Sequence, residues 1–314
     1  MTRPEILMIG PMIASAMEAL EAAYILHRFW QAEDKPALLA RIGPQVRGIA
    51  TDGHHGVPGE VLVACPAVEI VSSFGVGYDG VDLTACKSRG IRVTNTPDVL
   101  NDAMAEITLG LMISLARSLP QADRFVREGS WQPGRNFGLT GELTGKTAGI
   151  LGLGRIGKEI ARRLQAMKMQ VVYCGRTRQQ DQPYPYFASL VEMANAVDWL
   201  IGVVPGSPET DGMVDRAVME ALGPEGYLVN VGRGSLVDEA ALVEMLTSGA
   251  LGGAALDVFD AEPTVPSALL GLGNVVLSPH QGSATHKTRR AMGDLVVCNL
   301  AAHFAGDPLL TPVV

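Results

Sequence analysis

Short apolar runs punctuate this chain, and the stretches between them carry apolar residues three and four positions apart. The first run, residues 6–10, is turned by Pro11 and Met12 and reads as a buried strand. Residues 14–30 have the spacing of an amphipathic helix, and helical spacing returns near 35–41. Runs at 48–51, 68–72 and 91–94 predict further strands, so the first hundred residues read as a small parallel α/β domain. From Ala103 to Ser118 the pattern changes to a long helix that is small or apolar all round, which requires burial on most sides. Residues 119–145 show no period and contain Trp131 and Phe137; a loop of that length in a compact domain is usually functional or at an interface. Alternation then resumes. Strands are predicted at 147–151, 171–174, 199–204, 227–231, 253–258 and 275–278, with helices at 190–196, 215–222, 238–248 and 285–304 and an extended tail at 308–314. This is the pattern of a doubly wound parallel sheet.

One junction in that pattern carries chemistry. The strand 147–151 runs without a gap into Gly152-Leu153-Gly154-Arg155-Ile156-Gly157, and Ile156, Ile160, Leu164 and Met167 follow at helical spacing. Strand, glycine turn, helix and strand within about 30 residues form a βαβ unit. The first glycine allows the turn, the second admits a pyrophosphate to the backbone, and the third lets helix and strand pack closely. Free N–H groups at the helix start then face the phosphates. At the end of the second strand an NAD site usually has an acid for the ribose hydroxyl. Here Gly175 stands there, with Arg176, Thr177 and Arg178 beyond it. Two guanidiniums and a hydroxyl suit a 2′-phosphate, so the expected cofactor is NADP(H).

At 314 residues the chain is long for one core and natural for two domains. A hydrophobic content of 47% excludes general disorder, and a net charge of -8 argues against a nucleic-acid surface. The four cysteines form no CxxC, no run reaches transmembrane length, and MTRPEILMIG has no signal-peptide core, so a cytoplasmic enzyme without membrane contact is expected. His54 and His55 are adjacent, but no third ligand stands at useful spacing, so no metal is expected.

Ligands in such sheets bind at the carboxyl ends of strands. There the sequence places Val204-Pro205, Val231-Gly232-Arg233, Asp257, Glu262 and His280, and in the first domain Gly75-Val76-Gly77. The glycines around Val76 expose consecutive N–H groups, which is either a nest for a carboxylate or a plain turn. Arg233, Glu262 and His280 make sense as one reaction. Hydride addition to a carbonyl develops charge on oxygen, imidazole can supply the proton, a carboxylate favours its charged form, and a guanidinium holds an acid group and polarises the carbonyl.

The motifs GLGRIG at 152–157, NVGRGSLVDE at 230–239, ALDVFDAEP at 255–263 and SPHQGSAT at 278–285 resemble those of the D-isomer-specific 2-hydroxyacid dehydrogenases. Within that family, IVSSFGVGYDGVDL, GIRVTNTPDVLND, EALGPEGYLVNVGRG and PLLTPVV are most similar to glyoxylate/hydroxypyruvate and hydroxyphenylpyruvate reductases. The resemblance implies a Rossmann cofactor domain, 100–285, inserted into a smaller flavodoxin-like substrate domain, 1–99 plus 286–314, with hinges near Asp98 and Ala284. It implies Arg233 as substrate anchor, His280 as proton donor and Glu262 as its partner. Val76 and Gly77 would offer N–H groups to the substrate carboxylate, and Asp257 would hold the nicotinamide carboxamide. The implied activity is NADPH-dependent reduction of glyoxylate or hydroxypyruvate by a homodimer. Reduction of aromatic 2-oxoacids is the alternative, and a dinucleotide-sensing co-repressor is a more distant one. Two departures stand out. Gln281 follows the histidine where many relatives have an aliphatic residue, and Arg135 and Phe137 occupy the stretch from which some relatives lend an aromatic to the neighbouring subunit.

Overall fold

The computed structural model describes residues 3–314. The chain splits into two compact units, one formed by Met1–Leu100 with Ala284–Val314 and the other by Asn101–Ser283.

The smaller unit runs β1 (Glu5–Met8), α1 (Ala14–Ala23), β2 (Ile25–Arg28), α2 (Lys35–Ile42), β3 (Val46–Asp52), α3 (Gly59–Ala64), β4 (Ile70–Phe74), α4 (Leu83–Ser88) and β5 (Arg92–Thr94). All its strand pairs are parallel and the order is β2-β1-β3-β4-β5, the flavodoxin-like arrangement. The expected helix 14–30 is corrected here. It stops at Ala23, and Ile25–Arg28 pairs with β1 instead, because an open sheet edge offers those residues hydrogen bonds that helical periodicity does not reveal.

The larger unit runs α5 (Asn101–Ala116), α6 (Leu119–Arg127), β6 (Thr147–Leu151), α7 (Arg155–Ala166), β7 (Gln170–Cys174), β8 (Tyr186–Phe187), α8 (Leu190–Asn195), β9 (Trp199–Gly202), α9 (Arg216–Leu222), β10 (Tyr227–Asn230), α10 (Glu239–Ser248), β11 (Gly253–Leu256) and β12 (Val275–Leu277). Its seven strands are parallel in the order β12-β11-β10-β9-β6-β7-β8, a Rossmann sheet that reverses direction of winding between β6 and β9. The expectation of an irregular stretch is corrected by α6: Leu119, Ala122, Phe125 and Val126 recur at helical spacing, although none of the helix's residues is fully buried.

The chain then returns to the smaller unit as α11 (His286–Ala305), capped by the Thr285 hydroxyl. Gly293 lets α11 approach α1, since a Cβ there would sit 3.0 Å from that of Ala16. The tail bridges β5 antiparallel at Thr94 and Pro312. Buried Ile, Val and Leu fill both faces of each sheet, which leaves the strand ends as the places where polar groups converge.

Candidate active site

In the larger unit the glycine turn is built by exclusion of side chains. Gly152 has φ +101°, and a Cβ there would lie 2.7 Å from Val204 Cγ1. A Cβ on Gly157 would lie 2.2 Å from the Gly152 carbonyl oxygen, so only glycine lets α7 start this close to β6. A Cβ on Gly154 would meet nothing within 4 Å; the turn is open on that side. No side chain caps α7, which leaves its first N–H groups facing that opening. Leu153 and Ile156 pack into the core and Arg155 is exposed, so the turn presents backbone, as an anion cradle requires.

Arg176, Thr177 and Arg178 are all exposed, beyond a Gly175 whose carbonyl accepts from the Tyr186 hydroxyl at 3.1 Å. One neighbour was not legible locally. Glu209, on the loop after β9, is held below the usual carboxylate range, first by a hydrogen bond from Ser207 and also by the charge of Arg176.

The chemistry-bearing residues of this unit are fastened to one another. The buried Asn230 side chain accepts from Gly232 N at 3.1 Å and donates to the Arg233 carbonyl at 2.8 Å, which fixes the turn carrying Arg233. A Cβ on Gly232 would lie 2.9 Å from the Val204 carbonyl, so the ends of β9 and β10 touch here. Gly234 packs against backbone: a Cβ there would sit 1.9 Å from the Phe259 carbonyl carbon. Phe259 N donates to Glu262 Oε1 at 3.0 Å, and Glu262 Oε2 lies 2.7 Å from His280 Nδ1. With Glu262 ionised, Nδ1 carries the hydrogen and Nε2 is the atom left to exchange a proton. The histidine side chain is 44% exposed against 17% for the glutamate, so a ligand can reach the ring while its orienting partner is shielded.

His280 has φ +52°, a left-handed conformation uncommon outside glycine and asparagine. Asp257 maintains it. This carboxylate is 1% exposed and accepts from Ser278 Oγ at 2.6 Å, Gln281 N at 2.8 Å and Gly282 N at 2.8 Å, and its own carbonyl accepts from His280 N. About four acceptor positions exist on a carboxylate, and these three bonds take most of them. Asn230, Gly234 and Ser278 were missed as supports of the site; their strand-end positions were the available signal. Gln281 enters through its backbone, with its side chain exposed.

In the smaller unit, Gly75 has φ +149° and its N–H donates to Thr96 Oγ1 at 2.9 Å. The Gly75 N–H is thus engaged by the threonine, and the turn is anchored to the end of β5. The N–H groups of Val76 and Gly77 meet no acceptor among the described residues, and Asn95 holds the Val76 carbonyl at 2.9 Å. His54 N, His55 N and the His55 ring all converge on Asp52 at the end of β3. Burial raises the Cys65 thiol to about 11 and raises Cys86 and Cys174 as well, so none of these three is poised as a nucleophile.

The sequence pattern described as "D-isomer specific 2-hydroxyacid dehydrogenase, NAD binding domain" matches residues 109–282. The chain belongs to the D-isomer-specific 2-hydroxyacid dehydrogenases. Among curated members, it is 48% identical over 309 residues, 98% of both chains, to glyoxylate/hydroxypyruvate reductase A HPR2 of Arabidopsis thaliana. It is 46% identical over 309 residues, again 98% of both, to hydroxyphenylpyruvate reductase of Plectranthus scutellarioides. Among solved structures, an NADPH-dependent glyoxylate/hydroxypyruvate reductase of Sinorhizobium meliloti, in complex with NADP and malonate, superposes with a TM-score of 0.94 at 47% identity, covering 100% of this chain and 97% of that one. A 2-hydroxyacid dehydrogenase has a nicotinamide dinucleotide as its cofactor, and the 152–157 turn, open at Gly154 and uncapped, fits its pyrophosphate.

Proposed function

We propose that this 2-hydroxyacid dehydrogenase is a cytoplasmic, NADPH-dependent reductase of small 2-oxoacids such as glyoxylate and hydroxypyruvate. The observation that carries the reading is the 2.7 Å pair of His280 and Glu262, fastened through Phe259 and Gly234 to the turn bearing Arg233. The bound nicotinamide supplies a hydride. Arg233 holds the substrate carboxylate and polarises the adjacent carbonyl. In the smaller unit the N–H groups of Val76 and Gly77 are donors suited to a carboxylate. His280 Nε2 delivers the proton to the carbonyl oxygen while Glu262 steadies the charged ring. Asp257 orients His280, and its remaining acceptor position takes the carboxamide. The 46% identity to a hydroxyphenylpyruvate reductase makes aromatic 2-oxoacids the second reading. Steady-state assays with NADPH and a panel of glyoxylate, hydroxypyruvate and phenylpyruvate test the proposal; absence of turnover with all three would refute it.

In this reading the 2′-phosphate lies on Arg176, Thr177 and Arg178, with Glu209 tempering the charge of Arg176. Changing Arg176 and Arg178 to alanine together is expected to raise KM for NADPH by about 10–100-fold, the loss of charge-assisted contacts, and to leave NADH nearly untouched. Equal use of both cofactors by the unaltered enzyme would contradict the assignment.

We further propose a homodimer joined through the larger unit, at the helix 103–118 and the segment 119–145. Leu119, Val126, Trp131 and Leu139 are exposed there, and Trp131 is 68% accessible in the single chain. Arg135 and Phe137 instead pack on their own Phe125, at 5.7 and 5.6 Å. Light scattering at micromolar concentration should return twice the 33.2 kDa chain mass; a monomer would exclude this interface.

A further inference from the structure

The carboxyl edge of the smaller sheet holds a cation that neither the fold nor the proposed reaction uses. Arg289, in the first turns of α11, lays its guanidinium over the Phe74 ring, 5.5 Å from the centroid. The side chain is partly buried, and no carboxylate or carbonyl among the described residues accepts from it. Burial holds it below the usual arginine range, against the pull of the Asp52 charge. Asp52 cannot close a pair with it at no loss, because its oxygens already serve His54 N, His55 N and the His55 ring. A guanidinium has five N–H donors in a fixed fork, and leaving them unmatched in a partly buried place is unfavourable.

Its surroundings point to where an acceptor would stand. Phe74 is the last residue of β4, and the unengaged N–H groups of Val76 and Gly77 follow directly. The 75–77 turn adjoins the loop after β3: a Cβ on Gly75 would lie 3.7 Å from Gly53 N. Gly10, just beyond β1, faces the His55 ring, which would lie 2.8 Å from a Cβ placed there. The three adjacent parallel strands β1, β3 and β4 therefore end in one polar edge, with Arg289 beside it. One face of the guanidinium is covered by Phe74, and its donor edge remains.

We infer that Arg289 is a specificity-determining residue that selects 2-oxoacids carrying an oxygen on C3, by donating to that oxygen while the Val76 and Gly77 N–H groups hold the carboxylate. The inference rests on the reductase reading and names its substrate class: hydroxypyruvate-like acids, not pyruvate or aryl-pyruvates. An aryl-pyruvate would bring a ring to a guanidinium whose face is already stacked and would leave its donors unmatched. A site built to hydrogen-bond a substrate hydroxyl rejects the analogue that lacks it, because the site's own polar group is then left unpaired.

The test is the ratio of kcat/KM for hydroxypyruvate to that for pyruvate at saturating NADPH. Arg289→Met keeps an unbranched apolar stem against Phe74 and removes every donor. The ratio is expected to fall by about 10–100-fold in Arg289→Met, with KM for NADPH unchanged. Arg289→Lys, which keeps a charge and three donors, should recover part of it. The unaltered enzyme supplies a check independent of any variant's folding: D-glycerate should inhibit more strongly than D-lactate, which lacks only the C3 oxygen. A ratio unmoved within about 2-fold in Arg289→Met, or equal inhibition by the two hydroxy acids, overturns the role of Arg289 and leaves the reductase reading standing. No turnover of any 2-oxoacid by the unaltered protein overturns both.

Discussion

Replacing His280 by alanine is expected to lower the rate of 2-oxoacid reduction by about 10²–10⁴-fold, the usual contribution of a positioned general acid. In free energy this is about 3–5 kcal/mol of transition-state stabilisation. The structure makes the loss specific. His280 reaches its place through a left-handed backbone held by the buried Asp257 carboxylate, and its Nδ1 is engaged by Glu262 at 2.7 Å. Nothing else at that turn presents a proton to a ligand: Gln281 is an amide and Ser278 already donates to Asp257. Affinity for NADPH, measured by fluorescence titration, should stay within a few-fold of the unaltered protein, because the glycine turn at 152–157 is a separate part of the unit. The direction of the pH dependence follows from the role of the ring: reduction needs it as the acid and oxidation as the base, so the reductive rate should fall as pH rises and the oxidative rate should fall as pH falls. In His280→Ala both limbs should disappear. A variant that retained either limb at near-normal rate would remove His280 from the proton step.

Gly234→Ala is expected to be almost as damaging, although glycine contributes no functional group. The added Cβ would sit 1.9 Å from the Phe259 carbonyl carbon and 2.0 Å from its oxygen, distances that real atoms do not tolerate. Backbone lies on both sides, so no side chain can swing away. Relief requires moving either the turn that carries Arg233 or the segment whose Phe259 N–H holds Glu262. Overpacking of this kind destabilises a protein by about 1–3 kcal/mol. The larger consequence is for activity, since a displacement of about 1 Å in such a constellation is worth about 10²-fold in rate. Turnover is therefore expected to fall by about 10² or more, with a lowered melting temperature. Gly271→Ala is the control, because a Cβ there meets nothing within 4 Å and its backbone is not left-handed. Normal turnover by Gly234→Ala would show that the two segments are not coupled as tightly as the geometry indicates.

The site was legible to different depths at different residues. Gly152, Gly154 and Gly157 were readable because their spacing follows from local stereochemistry: a strand, a turn and a helix start within a few residues of each other. Arg233, Glu262 and His280 were readable because each follows a predicted strand, and parallel strands in one sheet end at the same edge. The role of Asp257 was not. Its carboxylate faces Ser278, Gln281 and Gly282, more than twenty positions downstream, and no local pattern records such a contact. The contact of Gly75 N–H with Thr96 is of the same kind, since the threonine is brought alongside only when β5 pairs with β4.

The sequence by itself determined the two α/β sheets, the dinucleotide turn, the absence of an acid at Gly175 and the position of Arg233, Glu262 and His280 beyond strands of one sheet. These are consequences of periodicity and of backbone geometry over spans of one or two elements, which the order of residues states directly. Only the tertiary structure decided that residues 25–28 form an edge strand and that Gly234 joins the Arg233 turn to the Glu262 segment. It alone also showed that Asp257 locks His280 in a left-handed turn and that Arg289 lies on Phe74 without an acceptor among the described residues. Each of these depends on which groups meet after distant segments pack. Burial sets the energetic weight of such meetings, and a polar group's environment is a property of the folded core that its sequence neighbours do not specify.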